Sequence, residues 1–220
     1  MDRVLEHEVM DTPEEARAYA RARYEDVIES AVRRLLELAG DTPGLRMVDL
    51  GTGPGSIPIM VARERPSWHI TGVDASKEMI KIAQISTKMA KLSDHVKLHL
   101  GNAKETGLPG GSFDIVFSNN FLHHMPDAGP LWAEVKRLAA PGALLFVRDL
   151  RRPDSEAAAH ELVNRHASQQ SELNQKGFFE SLLSAFKVEE ARQQLDAAGL
   201  KSIRVEPTRD YFLDIWGRIT

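Results

Sequence analysis

The run Met47-Val48-Asp49-Leu50 passes directly into Gly51-Thr52-Gly53-Pro54-Gly55-Ser56, and this junction constrains the fold more than any other stretch. An apolar strand ends beside an acid, three alternating glycines turn the chain, and a helical pattern opens after them. Glycine allows a sharp turn and lets a ligand approach with no Cβ in the way. Ser56 is the residue type that caps a helix. The helix start offers unpaired N–H groups and a partial positive charge to an anionic group. The junction therefore reads as a cofactor cradle placed after a buried strand.

The chain around it alternates between short apolar runs and helical patterns. Residues 13–39 read as a helix, with Pro13, Glu14 and Glu15 in its first turn and Val27, Ala31, Leu35 and Leu38 on one face. Tyr19 and Tyr24 are expected to pack against the body, with covering of the ligand as the alternative. Strands are expected at 46–50, 69–73, 96–100, 113–117 and 143–147, with Pro141-Gly142 as a turn before the last of these. Helices are expected at 56–65, 76–91 and after Pro126. The strands are apolar throughout, as in a parallel sheet covered on both faces. From Arg151 to Phe186 the strand signal is absent, and 154–173 and the Phe178, Leu182, Ala185, Phe186 stripe look helical. A connection this long suggests a lid or binding element. A helix at 188–198 ends at Gly199, and strands at 203–206 and 211–215 close the chain.

These elements define an α/β fold: a doubly wound, Rossmann-like, seven-stranded, mostly parallel sheet with helices on both faces. The last strand is antiparallel, and a helical insertion follows the fifth strand. One domain spans 1–220. Residues 1–44 form an N-terminal helical cap, and 151–186 form the candidate substrate lid. In such a sheet, ligands sit outside the carboxyl ends of the strands. Those ends carry Asp49 to Gly55, Asp74-Ala75, Gly101 to Ala103, Ser118 to Met125, and Arg148-Asp149.

Composition narrows the chemistry. The chain has no cysteine, which excludes disulfides, thiolate metal sites, thiol nucleophiles and cysteine-held iron–sulfur clusters. Its formal net charge is −4, against a nucleic-acid partner, which calls for a basic face. No apolar stretch reaches membrane-span length, and Met1 to Glu8 lacks a signal-peptide pattern, so a cytoplasmic location is expected.

Two nucleotide-like ligands compete for the cradle. A dinucleotide loop needs G-x-G-x-x-G, and Ser56 stands where its last glycine would fall. Asp74 is still placed, about 20 residues on, where an acid accepts ribose hydroxyls. No Walker-type lysine follows the glycines. Asp49-Leu-Gly-Thr-Gly-Pro-Gly55, taken with Gly72-Val-Asp74-Ala-Ser, resembles the class I S-adenosylmethionine-dependent methyltransferases over about Met47 to Leu150 and the final helix and strands. The resemblance implies that Gly51, Thr52, Gly53 and Gly55 hold the methionine part of the cofactor. It also implies that Asp49 lies near its amino group, that Asp74-Ala75 meets the ribose, and that Asn102 and Ala103 flank the adenine; Met79 packs either on the adenine, as in relatives, or in the ordinary helix core. The family often has Gly-Asp where this chain has Gly101-Asn102.

Asn119, a candidate cofactor contact, lies in the stretch Ser118-Asn119-Asn120-Phe121-Leu122-His123-His124-Met125-Pro126-Asp127, which is similar to a small-molecule subgroup that includes quinone-ring methyltransferases. The Asn/Asp-Pro-Pro-aromatic pattern of nucleic-acid N-methylating enzymes is missing. His123 and His124 are the candidate general bases, set against ordinary packing and capping roles. Adjacent side chains are not expected to enter one pocket together. No metal site is expected, because these two lack convergent spacing and His160 and His166 fall on different helix faces. Arg148 and Asp149 read as a paired rim, either salt-bridged or touching substrate. Phe178, Phe179 and Phe186 read as core or as pocket walls. The expected activity is methyl transfer from S-adenosylmethionine to a small-molecule acceptor, by a chain whose oligomeric state the sequence leaves open, a homodimer included. The alternatives are a cofactor-binding regulatory protein without turnover and an NAD-type oxidoreductase.

Overall fold

The structure is a computed structural model that describes residues 1–6, 14 and 25–220. Of the helix expected at 13–39, the stretch from 25 onward is described as α1 (Glu25–Ala39). Tyr19, Tyr24 and the rest of 15–24 lie outside the described residues.

β1 (Arg46–Leu50), α2 (Ser56–Glu64), β2 (His69–Asp74), α3 (Lys77–Met89), β3 (Val96–Leu100) and β4 (Phe113–Asn119) follow in alternation. Next come a 3₁₀ turn (Leu122–His124), α4 (Gly129–Leu138), β5 (Ala139–Leu150), α5 (Glu156–His166), α6 (Glu172–Ser184), α7 (Val188–Ala197), β6 (Arg204–Thr208) and β7 (Phe212–Arg218). The seven strands form one sheet in the order β3-β2-β1-β4-β5-β7-β6. All pairings are parallel except those of β7, which runs antiparallel to both β5 and β6. The expected architecture is the observed one.

Alternation along the strands explains why both faces are covered. Met47, Ile115, Phe117, Leu144 and Phe146 face α1 and α2, where Ala31, Leu35, Val61 and Trp68 complete one core. Their neighbours Val48, Val116, Leu145 and Val147 face the other way, onto Leu131, Trp132 and Val135 of α4 and Ala191 and Leu195 of α7. With side chains alternating across a strand, continuous apolar runs are what a two-sided sheet requires. A third, smaller cluster joins Ala159, Val163 and Leu182 of α5 and α6 to Leu150, Tyr211 and Phe212. The insertion is thus anchored to the ends of β5 and β7. Among the described residues, no helix is long and apolar enough to cross a membrane.

β5 begins at Ala139 rather than 143, and the expected Pro141-Gly142 turn is a bulge within it. Phe113 pairs with Ala139 and Ile115 with Leu144, so four residues of β5 loop out opposite one of β4. Gly142, at φ 76°, makes the reversal.

Arg148 and Asp149 do not form a common rim. They are consecutive strand residues and point to opposite faces. Arg148 is buried and makes two parallel 2.7 Å bonds to Asp214 of β7. It also donates to Ser30 Oγ of α1 at 2.9 Å. This pair ties β5 and β7 to α1. Removing one partner of a buried pair leaves an uncompensated charge, which costs roughly 3–5 kcal/mol. Asp214→Ala is expected to lower unfolding free energy by that amount in denaturant titration, with the slope unchanged; a loss below about 1 kcal/mol would show that solvent reaches Arg148.

Candidate functional site

Strand order reverses at β1, so β2 and β4 leave it on opposite sides and a crevice opens at the carboxyl ends of β1 and β4. The glycine loop lies there. Gly51 and Thr52 both donate their N–H groups to Val73 O at 2.9 Å. Asp74 closes the loop from β2: Oδ2 accepts from Gly53 N and Oδ1 from Ser76 N, each at 2.8 Å. One carboxylate therefore fixes the loop to the start of α3, where Ser76 caps by accepting from Met79 N. At φ 77°, Gly51 occupies the left-handed region, and a Cβ there would lie 2.5 Å from the Phe121 ring. The N-cap of α2 is Gly55, at φ 81°, and no side chain caps it. Ser56 is instead the first helical residue. The left-handed turn that only glycine makes cheaply takes the cap position, so the first N–H groups of α2 receive no side-chain acceptor.

Asp49 is buried and accepts from Thr52 Oγ1 at 2.7 Å. Burial pushes its carboxyl up to about 7; the Thr52 bond opposes this and the nearby Asp74 charge adds to it. Burial also raises Asp74, against its two backbone bonds and the influence of His124. Met79 and Ala103 are buried, while Ala75 and Asn102 are exposed. Asn102 Oδ1 accepts from Lys104 N at 2.9 Å and shapes its own turn. At the end of β4, Asn119 Oδ1 and Asn120 Oδ1 are buried with no hydrogen-bond partner. Asn120 has φ 50°, uncommon for a side-chain-bearing residue. A cradle with one buried and one half-buried carboxylate, uncapped helix N–H groups and unpartnered amide oxygens fits a ligand that carries both cationic and hydrogen-bonding groups.

The 3₁₀ turn lies beside this cradle through Phe121, and Asp149 holds it. Asp149 Oδ2 accepts from Phe121 N at 2.7 Å and Leu122 N at 2.6 Å, and Oδ1 lies 2.6 Å from His123 Nδ1. The two histidine ring centroids lie 4.2 Å apart, with the planes tilted by 40°. Contrary to expectation, they converge: Glu6 Oε1 lies 3.2 Å from His123 Nε2 and 2.7 Å from His124 Nδ1. The partner that brings them together comes from the far end of the chain. Arg3 fastens that segment, donating to His123 O at 2.9 Å, Met125 O at 2.7 Å and Ser184 O, with its guanidinium 3.6 Å over Phe186. Burial alone would depress His123, but the Asp149 and Glu6 carboxylates outweigh it and push it up to about 10. Burial and the neighbouring His123 lower His124. Against burial, the two imidazoles hold Glu6 well below the usual carboxylate range.

Glu6 and Arg3 carry no sequence signal that links them to this turn, and Asp149 was assigned to a rim. The expected separation of His160 and His166 holds. His160 stacks on Phe179 and His166 pairs with Asp210. Phe186 is buried in the α4–α7 core, while Phe178 and Phe179 pack against the α5–α6 cluster.

A family model described as a methyltransferase domain matches residues 41–199. A 27-O-demethylrifamycin SV methyltransferase from Amycolatopsis mediterranei is 28% identical over 86% of this chain and 67% of its own length. A demethylmenaquinone methyltransferase from Listeria welshimeri is 34% identical over 50% of this chain. The chain spans 47% of that relative's length. A solved structure titled as a SAM dependent methyltransferase from Aquifex aeolicus superposes with a TM-score of 0.70. It is 17% identical, over 95% of this chain and 99% of its own.

Gly51→Ala tests the junction between loop and turn. The left-handed φ costs about 1–3 kcal/mol for a residue with a Cβ, and the Phe121 ring must also move. Thermal unfolding is expected to show a loss of at least that size, and an unchanged midpoint would refute the close approach.

Proposed function

The chain belongs to the class I S-adenosylmethionine-dependent methyltransferases, and from that premise we propose that it transfers a methyl group to a hydroxyl or acidic ring carbon of a small molecule. The reading is carried by the two carboxylates at the glycine loop, the buried Asp49 and the half-buried Asp74, which complement a donor bearing positive charge. When bound, S-adenosylmethionine supplies an already activated methyl on a sulfonium, so the protein's main task is alignment, which can supply on the order of 7–11 kcal/mol.

Each residue then has a defined task. Asp49 pairs with the donor's ammonium, while Thr52 keeps the carboxylate oriented. Asp74 holds the loop through Gly53 and Ser76 and directs its remaining lone pairs at the ribose hydroxyls, beside Ala75. Gly51, Gly53 and Gly55 leave room for the methionine part. Met79, Asn102 and Ala103 border the adenine, and Asn119 offers its unpartnered Oδ1 to the donor. His124, held below the usual imidazole range, supplies the proton acceptor, and Asp149 positions the adjacent His123 through Nδ1. Residues 1–6, resting against the 3₁₀ turn and α6, together with α5 and α6, cover the acceptor. The relatives named as acting on a rifamycin oxygen and on demethylmenaquinone support acceptors of this class.

The Asp49 carboxyl gives this account a pH signature. Below about pH 7 the side chain is protonated and must lose that proton to pair with a cation. Affinity for S-adenosylmethionine is therefore expected to rise with pH, up to about tenfold per unit below 7. In Asp49→Asn the dependence disappears. Titrations from pH 5.5 to 8 that give a flat wild-type profile would remove Asp49 from the ammonium.

Turnover is tested by following S-adenosylhomocysteine over a panel of phenols and quinols. His124→Ala is expected to lower kcat by roughly 10²–10⁴ with donor affinity unchanged. Donor binding without product across every acceptor would transfer the chain to the class of cofactor sensors.

A further inference from the structure

Three side chains from distant parts of the sequence meet beside the cradle: Glu6, His123 and His124. Each offers one ligand atom, and all three atoms lie within 4.8 Å of one another. We propose that they bind one divalent transition-metal ion of the zinc type, with a fourth position left for water.

Geometry carries the inference. Bonds of about 2.0–2.1 Å to imidazole nitrogen and carboxylate oxygen place neighbouring ligand atoms of a tetrahedral ion roughly 3.3 Å apart. Glu6 Oε1 is 3.2 Å from His123 Nε2 and 2.7 Å from His124 Nδ1. The first spacing matches, and the second reaches it by a small rotation of the His124 ring. Two of these atoms, Glu6 Oε1 and His124 Nδ1, are buried and have no aligned hydrogen bond despite their proximity. Unpartnered buried polar atoms facing one another are what an ion between them would satisfy. Two nitrogens and one oxygen form the donor set of borderline divalent metals, and three protein ligands leave a position open.

The surroundings supply outer support of the kind such sites carry. Asp149 holds His123 by Nδ1 at 2.6 Å and so presents Nε2 to the ion. Ser181 donates to the other oxygen of Glu6 at 2.9 Å. Arg3 does not compete, because its donors go to main-chain carbonyls of His123, Met125, Pro126 and Ser184. Two carboxylates, Glu6 as a ligand and Asp149 behind His123, supply negative charge that offsets part of that of a divalent cation. The ion would also fasten the N-terminal segment, since Glu6 is its ligand from that segment.

The test uses the full chain, freed of metal with a chelator and titrated with Zn²⁺ by calorimetry in the absence of S-adenosylmethionine. One site per chain is expected. Glu6→Gln and His124→Ala are each expected to weaken it by more than ~10-fold, and Asp149→Asn by about 10–100-fold. His166→Ala, which removes a surface histidine paired with Asp210, should bind as the wild type does. Co²⁺ should give the intense visible bands of a tetrahedral ion in the wild type and lose them in Glu6→Gln, a readout that stands even if His124→Ala fails to fold. Zn²⁺ should also slow amide exchange in residues 1–6. No binding, or binding undiminished by Glu6→Gln, would overturn the proposal. No donor or acceptor takes part, so a negative result leaves methyl transfer standing, and absence of turnover leaves the metal site standing.

Discussion

The reversal of strand order at β1 is the constraint on which this structure depends. It opens one crevice between the carboxyl ends of β1 and β4, and the polar groups of the candidate site are attached to its edges. Parallel pairing brings Asp49 of β1 into register with Gly72 of β2 and Phe117 of β4. The next residues of β4 and β5, Asn119 and Arg148, are also paired, so Asp149 follows at the same level. A sheet with any other order would scatter these groups. With this order, the backbone hydrogen bonds of the sheet do the positioning, and the loops need only turn.

Carboxylates then organise what the sheet brings together. Asp74 fixes the glycine loop to the start of α3, and Asp149 fixes the histidine turn to the end of β5. Asp74 gives both oxygens to main-chain N–H groups, and Asp149 gives Oδ2 to the turn's main chain and Oδ1 to His123 Nδ1. Phe121 and Gly51 join the two assemblies through a contact that admits no Cβ. Glu6 adds a further, half-buried acid from the N-terminal segment. The crevice as a whole is rich in negative charge at low exposure, a field that favours cationic ligands and disfavours phosphates.

The fold was legible in the sequence because its signals are local. Continuous apolar runs, glycine turns and strand-ending acids repeat in the order that a doubly wound sheet dictates, and the seven strands appear where those runs lie. The misreadings arose where two local signals compete or where the partner is remote. Ser56 has capping chemistry, but the left-handed turn at Gly55 takes the cap. Pro141-Gly142 reads as a loop, yet pairing to Phe113 draws Ala139 into β5. Arg148 and Asp149 look like one pair, but strand alternation sends them to Asp214 and to the histidine turn. The convergence of His123 and His124 was invisible because it requires Glu6, more than a hundred residues away, and periodicity carries no information about such a contact.

The account rests on the glycine loop and its two acids as the seat of a sulfonium donor rather than a dinucleotide. Calorimetry of the full chain against S-adenosylmethionine and against NAD tests this most directly. Saturable one-to-one binding of S-adenosylmethionine, with no heat from NAD, is the predicted result. Binding of NAD without binding of S-adenosylmethionine would contradict it.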